Sequence, residues 1–119
     1  MMLDLNKNIK VEEIKFLKLI YHELAHQIQF KGEMNEIIEG NLQTILDDRN
    51  RPIIQNRYAL YHDYFELEID ANIKAFERII NEIENGTLPR HKDILNMVYK
   101  NLEYQKNLRN TEEYKRINL

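Results

Sequence analysis

The chain has 119 residues, 43% hydrophobic and 31% charged, the balance of a single globular domain spanning 1–119 with a modest core. Its net charge of −3 gives no general attraction to nucleic acid, and no apolar run approaches bilayer-crossing length, so neither nucleic acid nor a membrane is an expected partner. Cysteine is absent, which excludes disulfides and thiolate metal sites and leaves His, Asp and Glu as candidate metal ligands.

The N-terminus, Met1-Met2-Leu3-Asp4-Leu5-Asn6, lacks the charged start and long apolar stretch of a signal peptide, which makes the cytoplasm the expected location. Met2 to Leu5 is one of two strand candidates, and Ile53-Ile54 is the other. Val11 to Phe30 reads as the first helix, with Glu12 and Glu13 where negative charge favours a helix start. After Gly32, the second segment, Met34 to Leu46, sets Met34, Ile37, Ile38, Leu42, Ile45 and Leu46 at helical intervals, weakened by Gly40. The cluster from Asp47 to Pro52 ends it. A third helix is expected over about Arg57 to Glu84, stopping at Asn85-Gly86, and a fourth from near His91 towards the C-terminus, through Ile94, Leu95, Val98, Leu102 and Leu108. The expected fold is therefore mainly α, about four helices, or α+β if one to three short strands form. No internal repeat, linker or low-complexity segment interrupts it.

Within the first helix, His22-Glu23-Leu24-Ala25-His26 reads H-E-x-x-H. Histidines four apart share a helix face and can reach one metal ion, and the intervening glutamate can take a proton from a metal-bound water. The plainer alternative is a solvated face with weak pairing between histidines and glutamate. Leu17, Ile20, Leu24 and Ile28 repeat at helical spacing opposite the histidines, so the back of this helix is expected in the core and its front in a cleft.

A catalytic zinc takes three protein ligands and a water. The stretch Tyr64 to Asn72 offers Glu66, Glu68 and Asp70. At about 100° per residue, Glu68 and Asn72 fall with Tyr61, Phe65, Phe76, Ile79 and Ile83 on the apolar side, whereas Glu66 and Asp70 fall on the polar side. A carboxylate on an apolar face needs a partner or a metal, so Glu68 is the expected third ligand. The register with Glu66 as ligand and Asp70 in support ranks second. Edge snorkelling, or pairing with Lys15 or Lys18, is the bland reading of Glu68.

His22-Glu23-Leu24-Ala25-His26 followed by Glu68-Ile69-Asp70-Ala71-Asn72-Ile73-Lys74-Ala75 resembles the gluzincin-type metallopeptidases. The second segment looks like the E-x-x-A-[ND]-x-x-A pattern of short bacterial and phage peptidases related to the ImmA/IrrE group. The resemblance covers about twenty residues and implies a minimal zincin-like domain. It further implies zinc on His22, His26 and Glu68, Glu23 as general base and acid, and Asn72 supporting a ligand histidine. The chain departs from the family in having few strand candidates where the family builds a small sheet.

The implied reaction is peptide-bond hydrolysis on a protein or peptide substrate, one specific partner being the expectation for a chain with little room for a deep cleft. A tetrahedral oxyanion needs a donor besides zinc, and Tyr61 and Tyr64, one to two turns before Glu68, are the candidates. Core or rim packing is their plain alternative. His62 reads as a surface residue and His91 as a helix-start residue. The last segment is mildly basic without a dense basic face, and its apolar stripe suits the core or a partner. A non-catalytic zinc-binding or protein-interaction domain is the alternative function. A di-iron carboxylate site would need a second E-x-x-H beside Glu23-x-x-His26, and the sequence has none.

Overall fold

A computed structural model describes residues 11–32 and 35–119. Among them the chain is mainly α: six helices, two short 3-10 turns and no strand. The helices are α1 (Val11–Lys31), α2 (Glu36–Asp48), α3 (Arg57–Leu60), α4 (Glu66–Glu84), α5 (Lys92–Leu108) and α6 (Glu112–Asn118). Short polar residues fix their starts by accepting otherwise unpaired backbone N–H groups. Asn35, Asn56, His91 and Thr111 do this for α2, α3, α5 and α6, accepting from Ile38, Ala59, Ile94 and Tyr114. At the end of α4, Gly86 takes φ +86°, a conformation disfavoured for any residue with a Cβ, and Leu88 N–H returns to the Glu82 carbonyl at 2.8 Å.

α4 is the central helix. Its buried Ile69, Ile73, Phe76, Ile79, Ile80 and Ile83 pack with Ile94, Leu95, Val98 and Leu102 of α5, and Ile14 of α1 closes the core from the other side. α1 runs antiparallel to α4, as successive pairings show: Tyr21 with Glu82, His22 with Asn72, and Gln29 with Leu67. Thus the crossing that the H-E-x-x-H reading requires is present.

Several expectations are corrected. Ile53-Ile54 is no strand; it lies in a 3-10 turn, Ile53–Gln55, and both side chains are exposed. Met2 to Leu5 lies outside the described residues. The third expected helix breaks between Leu60 and Glu66, where Tyr61 leaves helical geometry (φ −123°, ψ 27°) and Phe65 is extended (φ −72°, ψ 131°). The fourth is two helices, separated where Thr111 caps α6.

The largest correction concerns α1. Of the face expected at the core, Leu17 packs against it, but Ile20, Leu24 and Ile28 are exposed at 38%, 37% and 64%, while Ile14, His22, Ala25 and Gln29 are buried. The small Ala25 fits against α4, and His22 and Gln29 find hydrogen-bonding partners there, which offsets the cost of burying them.

Glu66 likewise is buried rather than solvated. It accepts two bonds from the Arg109 guanidinium, at 2.8 and 2.7 Å, and one from the Tyr114 hydroxyl at 2.8 Å. Asp48, wholly buried, accepts from the Arg57 backbone N–H and Nε, each at 3.1 Å, and so holds the 49–57 connection against the end of α2. That connection leads the chain into Tyr58 and His62.

Candidate metal centre

His22 and His26 face α4 from consecutive turns of α1, and Glu68 faces them from the first turn of α4. The three inward atoms form a small triangle. His22 Nε2 and His26 Nε2 are 2.9 Å apart, and Glu68 Oε1 is 3.0 and 3.2 Å from them.

The outer ring nitrogens decide what these atoms offer. Gln29 Nε2 donates to the Leu67 carbonyl at 3.0 Å and to Asp70 Oδ2 at 2.8 Å, so its amide oxygen must be the atom 2.8 Å from His26 Nδ1. Only a protonated Nδ1 makes that a bond. Asn72 behaves alike: its Nδ2 donates to Gln105 Oε1 at 3.2 Å, and its Oδ1 accepts from His22 Nδ1 at 2.6 Å. Both neutral imidazoles therefore direct bare Nε2 lone pairs at a carboxylate oxygen. Three acceptors about 3 Å apart repel one another unless positive charge lies between them.

This donor set fits zinc. Bonds of about 2.0–2.1 Å in a tetrahedron put ligand atoms about 3.3 Å apart, within a few tenths of an ångström of the triangle, and two histidines with one glutamate leave a fourth position open. His22, His26 and Glu68 are the group among the described residues whose ligand atoms converge closely enough to hold an ion. Asn72 and Gln29 grip the ligands from behind, the arrangement that orients metal-binding imidazoles.

The electrostatics point the same way. Burial pushes the Glu68 carboxyl up, but its contacts with His22, His26 and Tyr58 outweigh it and hold the group below the usual carboxylate range, as a site that attracts positive charge between these atoms requires. The Glu68 carboxylate beside it raises the His26 imidazole despite burial, so positive charge is favoured at this point, whether a proton or a metal ion supplies it. Burial and the bond to Glu68 raise the Tyr58 phenol, which stays a donor, with its hydroxyl 2.5 Å from Glu68 Oε2. Lys18, also lining the cleft, is lowered by burial, an effect that Glu68 and Asp63 oppose.

The centre opens into a cleft of about 500 Å³. Glu23 lines it beside the ligands, exposed and without a hydrogen-bond or ion-pair partner among the described residues. The expected oxyanion donors are not there. Tyr61 lines a separate depression, where the Arg116 guanidinium lies 5.5 Å from its ring centre, and Tyr64 packs against the core. Tyr58 and His62 take their place at the cleft because the broken helix folds its first turn across Glu68. His62 Nε2 is 3.4 Å from Glu68 Oε1, and its ring meets Tyr58 edge-on at 5.1 Å. His62 reads from the sequence as a surface residue, and its side chain is indeed 49% exposed, but on the rim of this cleft; Tyr58, four residues earlier, has no signal of its own while Arg57 to Glu84 reads as one unbroken helix. Gln29, three residues after His26, carried a readable helical signal that was passed over. His91 caps α5, as its place at a helix start suggested. The alternative register has no geometric support: Glu66 is engaged by Arg109 and Tyr114, and Asp70 accepts from Gln29 and Lys74.

Comparison with protein-family models, with curated proteins and with solved structures returns no match.

Proposed function

We propose that this protein is a zinc-dependent metallopeptidase in which His22, His26 and Glu68 hold the ion and Glu23 moves protons. The observation carrying this is the convergence of two imidazole lone pairs and a buried carboxylate, each imidazole set by an amide behind it. The resemblance to gluzincin-type peptidases of the ImmA/IrrE kind adds weight, since Asn72 stands behind His22 as that pattern implies.

Zinc at such a site acidifies a water and polarises a substrate carbonyl. Glu23, without a hydrogen-bond or ion-pair partner among the described residues, would take a proton from the attacking water and return it to the departing amine. Tyr58 donates to the outer oxygen of Glu68, which keeps the inner oxygen aimed at the centre. His62, on the rim, is the donor available to an oxyanion that develops in the cleft. A shallow cleft in a chain of this size suits one specific protein partner better than a range of substrates, the pattern of regulatory peptidases of phages and mobile elements. No described helix is long and apolar enough to cross a membrane.

A second reading, a non-catalytic zinc domain, draws support from one feature: the ligands bridge α1 and α4, so an ion there would also staple the fold. Zinc content and hydrolysis of an unfolded protein such as casein separate the two. We expect about one zinc per chain in wild type and in Glu23→Gln, with hydrolysis in wild type alone. Absence of zinc from protein prepared without chelator would sink both readings, and zinc without hydrolysis would favour the second.

A further inference from the structure

Leu19, Glu23, His26 and Phe30 fall at i, i+4, i+7 and i+11 along α1 and so form one continuous ridge. Its ends are apolar and its middle carries the chemistry. Leu19 lines the cleft although 57% exposed, and Phe30, 55% exposed, stacks on the His26 ring with 6.1 Å between centroids and 12° between planes. Phe16, 59% exposed, extends the apolar end by one turn. α1 packs on α4 through the neighbouring face that carries His22, Ala25 and Gln29, and His26 lies at the edge between that face and the ridge. Large apolar side chains held at a cleft in this way mark a binding surface.

We infer that this ridge is the docking track for substrate, and that the substrate is an extended polypeptide segment with bulky apolar side chains on both sides of the bond presented to the centre. The inference rests on the metallopeptidase reading and adds the substrate class. Continuity identifies the occupant: Leu19 lines the cleft beside Glu23 and Phe30 lies against His26, so a polypeptide laid along the ridge touches both as it brings a carbonyl to the centre. Spacing sets the pattern. At a rise of about 1.5 Å per residue, Leu19 and Phe30 are about 16 Å apart along the helix. An extended chain covers that distance in about five residues at roughly 3.3 Å each. The histidines lie midway, so the apolar side chains belong at about the third residue to either side of the scissile bond.

The test uses the full chain carrying Glu23→Gln, loaded with zinc, and two short dye-labelled peptides. One has leucine at the third residue to each side of its central bond, and the other has serine at both places. Fluorescence anisotropy should give the leucine peptide at least about tenfold tighter binding, since two partly buried leucines are at stake. Leu19→Ser or Phe30→Ser should each remove most of that preference while leaving zinc affinity and helical circular dichroism unchanged. Equal binding of the two peptides, or indifference to both substitutions, would overturn the track. A stable dimer in light scattering that Leu19→Ser dissolves would also overturn it, assigning the ridge to a second copy. Preference for the leucine peptide without its cleavage by wild type would keep the track and remove the peptidase. Cleavage of both peptides at equal rates would do the reverse.

Discussion

Gln29 fixes the tautomer of His26. Its amide nitrogen is committed to the Leu67 carbonyl and to Asp70, so its oxygen, 2.8 Å from His26 Nδ1, can only accept, and the proton of the neutral ring is kept away from the centre. Gln29→Leu leaves a shape that packs but withdraws that acceptor. Zinc affinity should fall by about 10- to 100-fold, the usual effect of losing a group behind a metal ligand. Competition with a chromogenic chelator measures it, and unchanged affinity would show that His26 needs no such support.

Glu66 and Glu68 are two residues apart, yet they do unrelated work. Glu66 is held by Arg109 and Tyr114, whereas Glu68 meets His22 and His26. Glu66→Ala should therefore cost stability and spare metal binding. Because the Arg109 side chain is 39% exposed and can be rehydrated, the loss should be about 2 kcal/mol, short of the 3–5 kcal/mol typical of a fully buried pair. Urea unfolding of the metal-free protein reads it.

Tyrosine ionisation reports on the same packing. Burial and a hydrogen bond to Glu66 push Tyr114 up to about 12, and burial with a bond to Glu82 does the same for Tyr21. A folded-state pKa above the unfolded value near 10 means that these contacts contribute fully below pH 10. Their contribution is lost as the pH climbs from 10 towards 12. Absorbance at 295 nm should show both phenols ionising late, and Tyr114→Phe should remove one late step. Full ionisation of every tyrosine near pH 10, with the fold intact, would contradict the packing of α6.

The tyrosines nearest Glu68 in the sequence should be inert in catalysis. Tyr61→Phe is expected to change kcat by less than about twofold, since its ring lies against Arg116, whereas His62→Ala should lower kcat by about 100-fold or more with zinc retained. Equal effects of the two substitutions would remove His62 from the mechanism.

Much of the centre was legible because it obeys helical geometry. The spacing of His22 and His26 and the position of Glu68 on the inward side of its helix both follow from a period of 3.6 residues, and both ligand sets meet where α1 crosses α4. The apolar periodicity of α1 misled for an identifiable reason. Apolar content marks a buried face only when polar side chains lack partners, and His22 and Gln29 have them on α4, so Ile20, Leu24 and Ile28 are left outside. Glu66 was misread likewise, because its partners come from Arg109 and Tyr114, more than forty positions further along the chain. The break at Tyr61 carries no glycine or proline to announce it, and it is what brings Tyr58 and His62 to the site.

The central claim is that one zinc is held by His22, His26 and Glu68. Zinc content after equilibration with limiting free metal tests it most directly, compared among wild type, Glu66→Ala and Glu68→Ala. We predict about one zinc per chain in wild type and in Glu66→Ala and almost none in Glu68→Ala. A Glu68→Ala protein that keeps zinc as wild type does would contradict the assignment.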